Sequence, residues 1–310
     1  MKVAVVGAGV AGLAAVWHLL QKKCEVTVFD TGGSASSVST GLLHPFPGKQ
    51  ALPSWRADEG MEATAELLQI AESALGRPVA EAKGILRPAI TEQQKKDFSS
   101  RGIWWEAEEV LKQLPLAAPA PALWIPNGIT VYSKLYLQGL WLACEKLGAQ
   151  REQRGVSLSD LKDFDKTILA TGAATLQFEE CRHLPLKCTI GQSLICRWPE
   201  RLPLSLVSQG HITPTEDPAF CQIGSTYEHT SEPDPKKAVE LLEKAALFYP
   251  PARDYKIVEI RSGVRISPIN GYQPLIAQIA PKVWVFTGLG SRGLLYHALL
   301  ARDLVHLLVK

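Results

Sequence analysis

The chain has 310 residues with 33 basic and 31 acidic side chains, a formal charge of +2. That length allows one large or two modest domains, and 46% apolar with 21% charged residues excludes extensive disorder and a membrane channel. A balance this close to zero gives no whole-molecule attraction to polyanions, and the Lys-Lys pairs at 22–23, 95–96 and 236–237 read as solvated faces.

The cysteines (Cys24, Cys144, Cys181, Cys188, Cys196 and Cys221) never fall in C-x-x-C spacing and have no histidine at zinc-ligand distance. The expectation is reduced, mostly buried thiols in a cytoplasmic protein with no metal. Residues 3–20 carry no formal charge, but Gly7, Gly9 and Gly12 interrupt the run. A strand-like Val26-Thr27-Val28-Phe29 follows, so a folded nucleotide unit is expected there and not a membrane span.

In chain order, Val3-Ala4-Val5-Val6 has the β-branched, fully apolar character of a strand buried on both faces of a parallel sheet. A glycine turn and a helix with Leu13, Ala14, Val16, Trp17 and Leu20 on one face come next, then the second strand at 26–29. The order is β-α-β. Further helices are predicted over Asp58–Leu75, closed by Gly76, and from Ser133, taken as the cap, to Leu147 before Gly148. A third runs from an Asp234 cap with Pro235 to Phe248. The Pro-rich 114–121 stretch reads as an extended loop near a domain crossing. Short β-like runs at 193–197, 205–207, 211–213 and 221–224 predict a mainly antiparallel middle sheet. The chain closes with strand 283–286, a second glycine turn, and a helix from about Gly293, so that both termini enter one sheet.

Gly7-Ala8-Gly9-Val10-Ala11-Gly12 is a G-x-G-x-x-G pattern in the context its physics needs, after a strand and opening a helix. The glycines permit the tight turn, the approach of backbone to a pyrophosphate, and helix-on-strand packing, while free N–H groups and the helix dipole face the phosphates. Asp30 ends the second strand where a ribose diol would lie, and its charge argues against a 2′-phosphate and so against NADP. Between FAD and NAD the fingerprint alone does not choose. Three further segments bear on that choice: the small-residue loop Ala35–Leu43, the strand running into Ala170-Thr171-Gly172, and Gly288-Leu289-Gly290-Ser291-Arg292-Gly293 before the last helix.

Together with Gly128-Ile129-Thr130-Val131, Gly191-Gln192 and Gly263-Val264-Arg265, these segments resemble the D-amino-acid oxidase family, which includes the glycine and sarcosine oxidases. Ile223-Gly224-Ser225-Thr226-Tyr227, with the Arg265 and Gly288–Leu294 motifs, is most similar to the FAD domain of the bifunctional enzyme that modifies carboxymethylaminomethyl-uridine at the tRNA wobble position; the methyltransferase half has no counterpart in these residues. The resemblance implies an α/β fold: a discontinuous Rossmann-type FAD-binding domain (1–84, 126–178, 262–310) with an inserted, mainly antiparallel substrate domain (85–125, 179–261). It implies FAD, with Ser36 at the pyrophosphate, Thr40, Gly41 and Leu42 at the isoalloxazine ring, and Val156 at the adenine; no histidine or cysteine beside a flavin-loop motif marks covalent attachment, so the cofactor is expected to be noncovalent. Thr171, Gly172 and the turn of Gly288, Gly290, Ser291, Arg292 and Gly293 complete that set.

Arg265 would clamp a substrate carboxylate, with Arg292 as the second catalytic candidate. An ion pair is what either arginine would signify without the family. Tyr227 and Tyr272 read as pocket or packing residues, and His44 as structural; His211 and His229 lack a spaced partner that would indicate metal. The reaction implied is oxidation of the C–N bond of a small amino acid or N-substituted glycine by hydride transfer to flavin N5. The alternatives are a tRNA-modifying FAD oxidoreductase, although charge does not support tRNA as a partner, and a non-catalytic flavin-binding protein. No membrane partner is expected.

Overall fold

The computed structural model describes residues 1–114 and 120–309. Most of the Pro-rich loop, 115–119, lies outside the described residues.

A six-stranded sheet contains both ends of the chain. The strand Lys2–Val6 lies between Glu25–Phe29 and Lys166–Leu169, both parallel to it, and Val283–Thr287 adds in parallel beyond the latter. Gln150–Glu152 and the antiparallel Leu275–Ala280 form the edges. Val3, Ala4 and Val5 are fully buried, as expected for a central strand with helices on its face. The covering helices are Val10–Gln21, Ala57–Leu75, Ser133–Lys146 and Gly293–Leu308, whose inner sides share one core through Leu13, Leu67, Tyr136 and Leu299.

The capping expectations hold at Gly76, which takes φ 74° and donates to Glu72 O, and at Asp234, whose carboxylate accepts from Lys236 N at 3.0 Å. Ser133 is different. It is the first helical residue, and its hydroxyl donates to Ser39 O at 3.4 Å instead of capping the helix. It thus ties the helix to the small-residue loop.

The second sheet has eight strands, antiparallel except where Ser205–Val207 meets Ile85–Pro88. Its spine is the pair Leu186–Arg197 and Lys256–Pro268, followed by Phe220–Gly224, His211–Pro214, Ser205–Val207, Ile85–Pro88, Ala122–Ile125 and Ile103–Trp105. The four short runs read from sequence are all strands, but the spine is far longer than the 193–197 run. Lys256–Pro268 also passes through residue 262 without a break.

Register and the two-residue period give this sheet two unlike faces. Leu194, Cys196, Cys221, Ile223, Ile212, Leu206 and Leu86 fall on one side, packed against Ala238, Leu241 and Ala245 of the helix Pro235–Ala246. The opposite face carries Gly263, Arg265, Ser267, Gly191, Ser193, Gln222, Gly224, His211 and Arg87. That polar, glycine-rich face is turned to the small-residue segment 35–38: a β-carbon on Gly263 would sit 2.8 Å from Val38 Cγ2, and Gln222 Nε2 donates to Val38 O at 3.0 Å. No described helix is long and apolar enough to cross a membrane.

Candidate cofactor and substrate site

The N-terminal glycines are required by contact as well as by turn geometry. Gly7 has φ 103°, and a β-carbon there would lie 2.5 Å from Ala170 O; one on Gly12 would lie 1.8 Å from Gly7 O. Gly9 leaves the backbone bare beside Ser36, whose Oγ would be 3.1 Å from a β-carbon. Around this hollow, Val10 N donates to Ser36 Oγ at 3.2 Å, and Ser34 Oγ is buried with no partner. Ala11 is buried behind it.

A bare glycine backbone, an orphaned hydroxyl and the start of a helix form an anion-binding arrangement suited to a pyrophosphate. Asp30 takes Ala8 N and Gly32 N at 3.0 Å each and pairs with Arg151 Nη2 at 2.8 Å, placing a carboxylate beside the turn. Arg151 is a neighbour that the fingerprint itself does not specify.

The chain ends converge here. A β-carbon on Gly293 would touch Val10 Cγ2 at 3.8 Å, so the last helix starts beside the first. The Ala170–Gly172 turn is joined to the end of the last sheet strand through threonines, with Thr171 Oγ1 2.9 Å from Thr175 Oγ1 and Thr287 Oγ1 donating to Gly172 O at 3.4 Å. Gly288 and Gly290 have φ of 76° and 55°. Ser291 is exposed and Gly290 faces Ser267. Gly41, φ 79°, lies so close to Val131 O that a β-carbon would be 2.0 Å away. Leu42 continues into a short strand paired with Thr130, and Thr40 Cγ2 would be 2.8 Å from a β-carbon on Gly224. Val156 packs on the small cluster that includes Phe29 and Phe164, and a β-carbon on its neighbour Gly155 would lie 3.7 Å from Thr31 Cγ2, next to Asp30 in the chain.

Arg265 lies between these parts. On its strand Gly263 touches the Ala35–Val38 segment and Ser267 touches Gly290, so the residue midway, on the same face, stands over the space between the small-residue loop and the C-terminal turn. Its Nη1 donates to Thr226 O at 3.1 Å and Nη2 to Ser225 Oγ at 2.8 Å, with Tyr227 4.8 Å beneath. No described carboxylate lies within ion-pair distance, and burial pulls its pKa down. Arg292 lies 4.5 Å over Tyr272 and is likewise without a described ion-pair partner. Each arginine therefore has its own tyrosine.

Spacing alone does not bring His44 and His211 to Arg265, but the fold does. His211 Nε2 is buried without a partner, next to Gly224, and burial plus the Arg265 charge push its pKa to about 3. His44 is held at about 3 by burial, Arg87 and His211. Both stay neutral at ordinary pH. Arg87 itself is buried, donates to Phe46 O and Gly48 O, and has its pKa lowered to about 10 by burial. The floor of the site is thus cationic or neutral. No described group of His, Cys, Asp and Glu is arranged to hold a metal ion.

A family model described as FAD dependent oxidoreductase, of the D-amino-acid oxidase type, matches residues 2–307. The chain belongs to that family. As an FAD-dependent oxidoreductase it shares its fold with glycine oxidase from Geobacillus kaustophilus (TM-score 0.85, 22% identity, 99% of this chain and 94% of that one). Iminodiacetate oxidase from Chelativorans sp. BNC1 is similar at TM-score 0.84 and 20% identity, over 99% and 95% of the two chains. For L-proline dehydrogenase from P. horikoshii the values are 0.81 and 15%, over 99% and 92%. Among curated proteins, none matches the sequence closely enough to count as a relative. The bare Gly9 backbone and orphaned Ser34 hydroxyl fit the family's cofactor, and Asp30 fits its ribose.

Proposed function

We propose that this FAD-dependent oxidoreductase oxidises the C–N bond of a small amino acid or N-substituted glycine. The observation that carries this reading is Arg265: a half-buried guanidinium with no described carboxylate partner, two hydrogen bonds to neutral groups, and a place between the two segments that would flank a flavin ring. Two donors are occupied out of the five an arginine has, leaving an edge for bidentate contact with a carboxylate. When bound, FAD supplies a hydride acceptor at N5. The protein holds the substrate's carboxylate at Arg265 so that its α-carbon lies over the ring. It disfavours the ammonium form by keeping the surroundings cationic. Loss of hydride from the α-carbon of the neutral amine leaves an iminium ion, which water hydrolyses to a carbonyl compound and the amine or ammonia with release of a proton.

On this reading Ser36 and the amides of Gly9–Gly12 hold the pyrophosphate, Asp30 the ribose and Val156 the adenine side, while Thr40–Leu42, Thr171–Gly172 and Gly288–Gly293 surround the ring. Arg292, stacked on the exposed Tyr272, is the second carboxylate contact. Attachment is noncovalent on this reading: His44, beside the loop, is half-buried and accepts the Phe46 amide on Nδ1. Residues 1–84, 126–178 and 262–310 carry the cofactor and 85–125 with 179–261 the substrate, with the strand Lys256–Pro268 common to both.

The test is to load the purified protein with FAD and titrate it anaerobically with glycine, sarcosine, iminodiacetate and proline. Bleaching of the flavin by at least one is expected. A fully loaded protein that none of them bleaches would refute the reading.

A further inference from the structure

The guanidinium of Arg265 does not extend straight from its strand. In register, Arg265 is opposite Thr189, yet its side chain crosses to the next residue on that face, Gly191. A β-carbon on Gly191 would fall 2.1 Å from Nη1, 2.3 Å from Cζ and 2.4 Å from Nη2, so the whole planar group lies against a bare α-carbon. Gly191 sits inside a twelve-residue strand and has no left-handed φ. Its backbone therefore needs no glycine, and glycine there weakens a strand. Space for Arg265 is the reason that remains.

The other two supports of the guanidinium, Ser225 Oγ and Thr226 O, belong to a segment held in place by one buried carboxylate. Glu228 Oε1 accepts from Thr226 Oγ1 at 2.5 Å and from Gln192 Nε2 at 2.8 Å, and Oε2 accepts from Asp234 N at 3.0 Å. Thr226 Oγ1 in turn accepts from Gln192 N at 2.9 Å, and the backbones of Glu228 and Ile190 exchange two hydrogen bonds of 2.9 Å. Burial pushes the Glu228 carboxyl up, but the donors and Lys237 outweigh it and hold the group below the usual carboxylate range. Glu228 is not within ion-pair distance of Arg265. It fixes the segment without neutralising the cation.

We propose that Gly191 and Glu228 are positioning residues for the carboxylate clamp, Gly191 as the seat of the guanidinium and Glu228 as the anchor of the segment that holds it. This rests on the reading of Arg265 as the clamp, and the test separates the two ideas.

The experiment uses FAD-loaded protein and acetate as the carboxylate probe, with binding read from the flavin absorbance spectrum, for Gly191→Ala, Glu228→Gln, Arg265→Ala and the Gly191→Ala/Arg265→Ala double variant. Gly191→Ala and Glu228→Gln are each expected to weaken acetate binding about tenfold, the scale of a lost charged hydrogen bond. FAD affinity should be unchanged. In the Arg265→Ala background Gly191→Ala should have no further effect on acetate and should raise Tm, because nothing then opposes the added methyl group. Full additivity of the two substitutions, or wild-type acetate affinity in Gly191→Ala and Glu228→Gln while Arg265→Ala loses it, would overturn the positioning role. Unchanged affinity in Arg265→Ala would instead overturn the clamp.

Discussion

Ser267 Oγ stands 2.5 Å from the place a β-carbon on Gly290 would occupy. The contact brings the eight-stranded sheet against the C-terminal turn, where Gly290 also needs its φ of 55°. In the proposed site that turn aims the last helix toward the flavin's electron-accepting end, where the helix dipole favours negative charge. Gly290→Val should slow anaerobic flavin reduction by about tenfold or more while substrate binding changes far less, since misplacement by even an ångström is costly to a transferring group. Equal losses in both would argue against the role.

Ser36 is the only described side-chain acceptor for the Val10 amide. Ser36→Ala leaves that donor to the cofactor or to solvent and removes one hydroxyl from the proposed pyrophosphate cradle. A loss of roughly 1 kcal/mol, about fivefold in the FAD dissociation constant, is expected from fluorescence titration.

Gly12→Ala tests the close packing of helix on strand. Its β-carbon would be 1.8 Å from Gly7 O, a backbone atom that cannot swing aside. Overpacking of this kind costs about 1–3 kcal/mol or more, so a lower Tm and poor FAD retention should appear together.

Arg265→Lys keeps the charge and loses the planar fork. The KM for carboxylate-bearing amines should rise by at least about tenfold, with a smaller change in kcat. If KM holds steady, the carboxylate is bound elsewhere.

Acid should destabilise the folded chain through its buried histidines. His297 Nδ1 faces the Gly293 and Leu294 carbonyls and so carries the proton, leaving Nε2 to accept from Tyr136 at 2.6 Å. Burial lowers its pKa to about 4, while His44 and His211 lie at about 3. Unfolded histidine titrates near 6.5, so between these limits the unfolded chain binds protons the folded one refuses. Stability is complete above about pH 6.5 and falls below it by about 1.4 kcal/mol per pH unit for each such histidine. Urea midpoints at pH 7 and pH 5 measure this; equal midpoints would contradict it.

The first β-α-β unit was legible because its signals are local: a buried apolar run, three glycines at fixed spacing, and Asp30 at the next strand's end. The helix ends at Gly76 and Asp234 were legible for the same reason. Ser133 was misassigned as a cap because its hydroxyl is engaged by Ser39, nearly a hundred residues earlier in the chain, which spacing cannot reveal. The lengths of Leu186–Arg197 and Lys256–Pro268 were also underread, since each is stabilised mainly by the other through a long-range ladder. Exposed residues at the free edge of Lys256–Pro268 further blur the alternation on which a sequence reading depends.

Arg265 could be named from its motif, but the motif does not say which way it turns. His211 showed even less, because a histidine without a spaced partner has no local pattern at all. The sequence by itself determined the dinucleotide turn, the residue types available to a site and the entry of both termini into one sheet, because turns, caps and apolar periodicity act over a few residues. Only the tertiary structure decided that Gly191 and Gly224 would lie beneath Arg265 and His211, since the register of antiparallel strands is fixed by the packing of their opposite, apolar face and not by the residues that use the result.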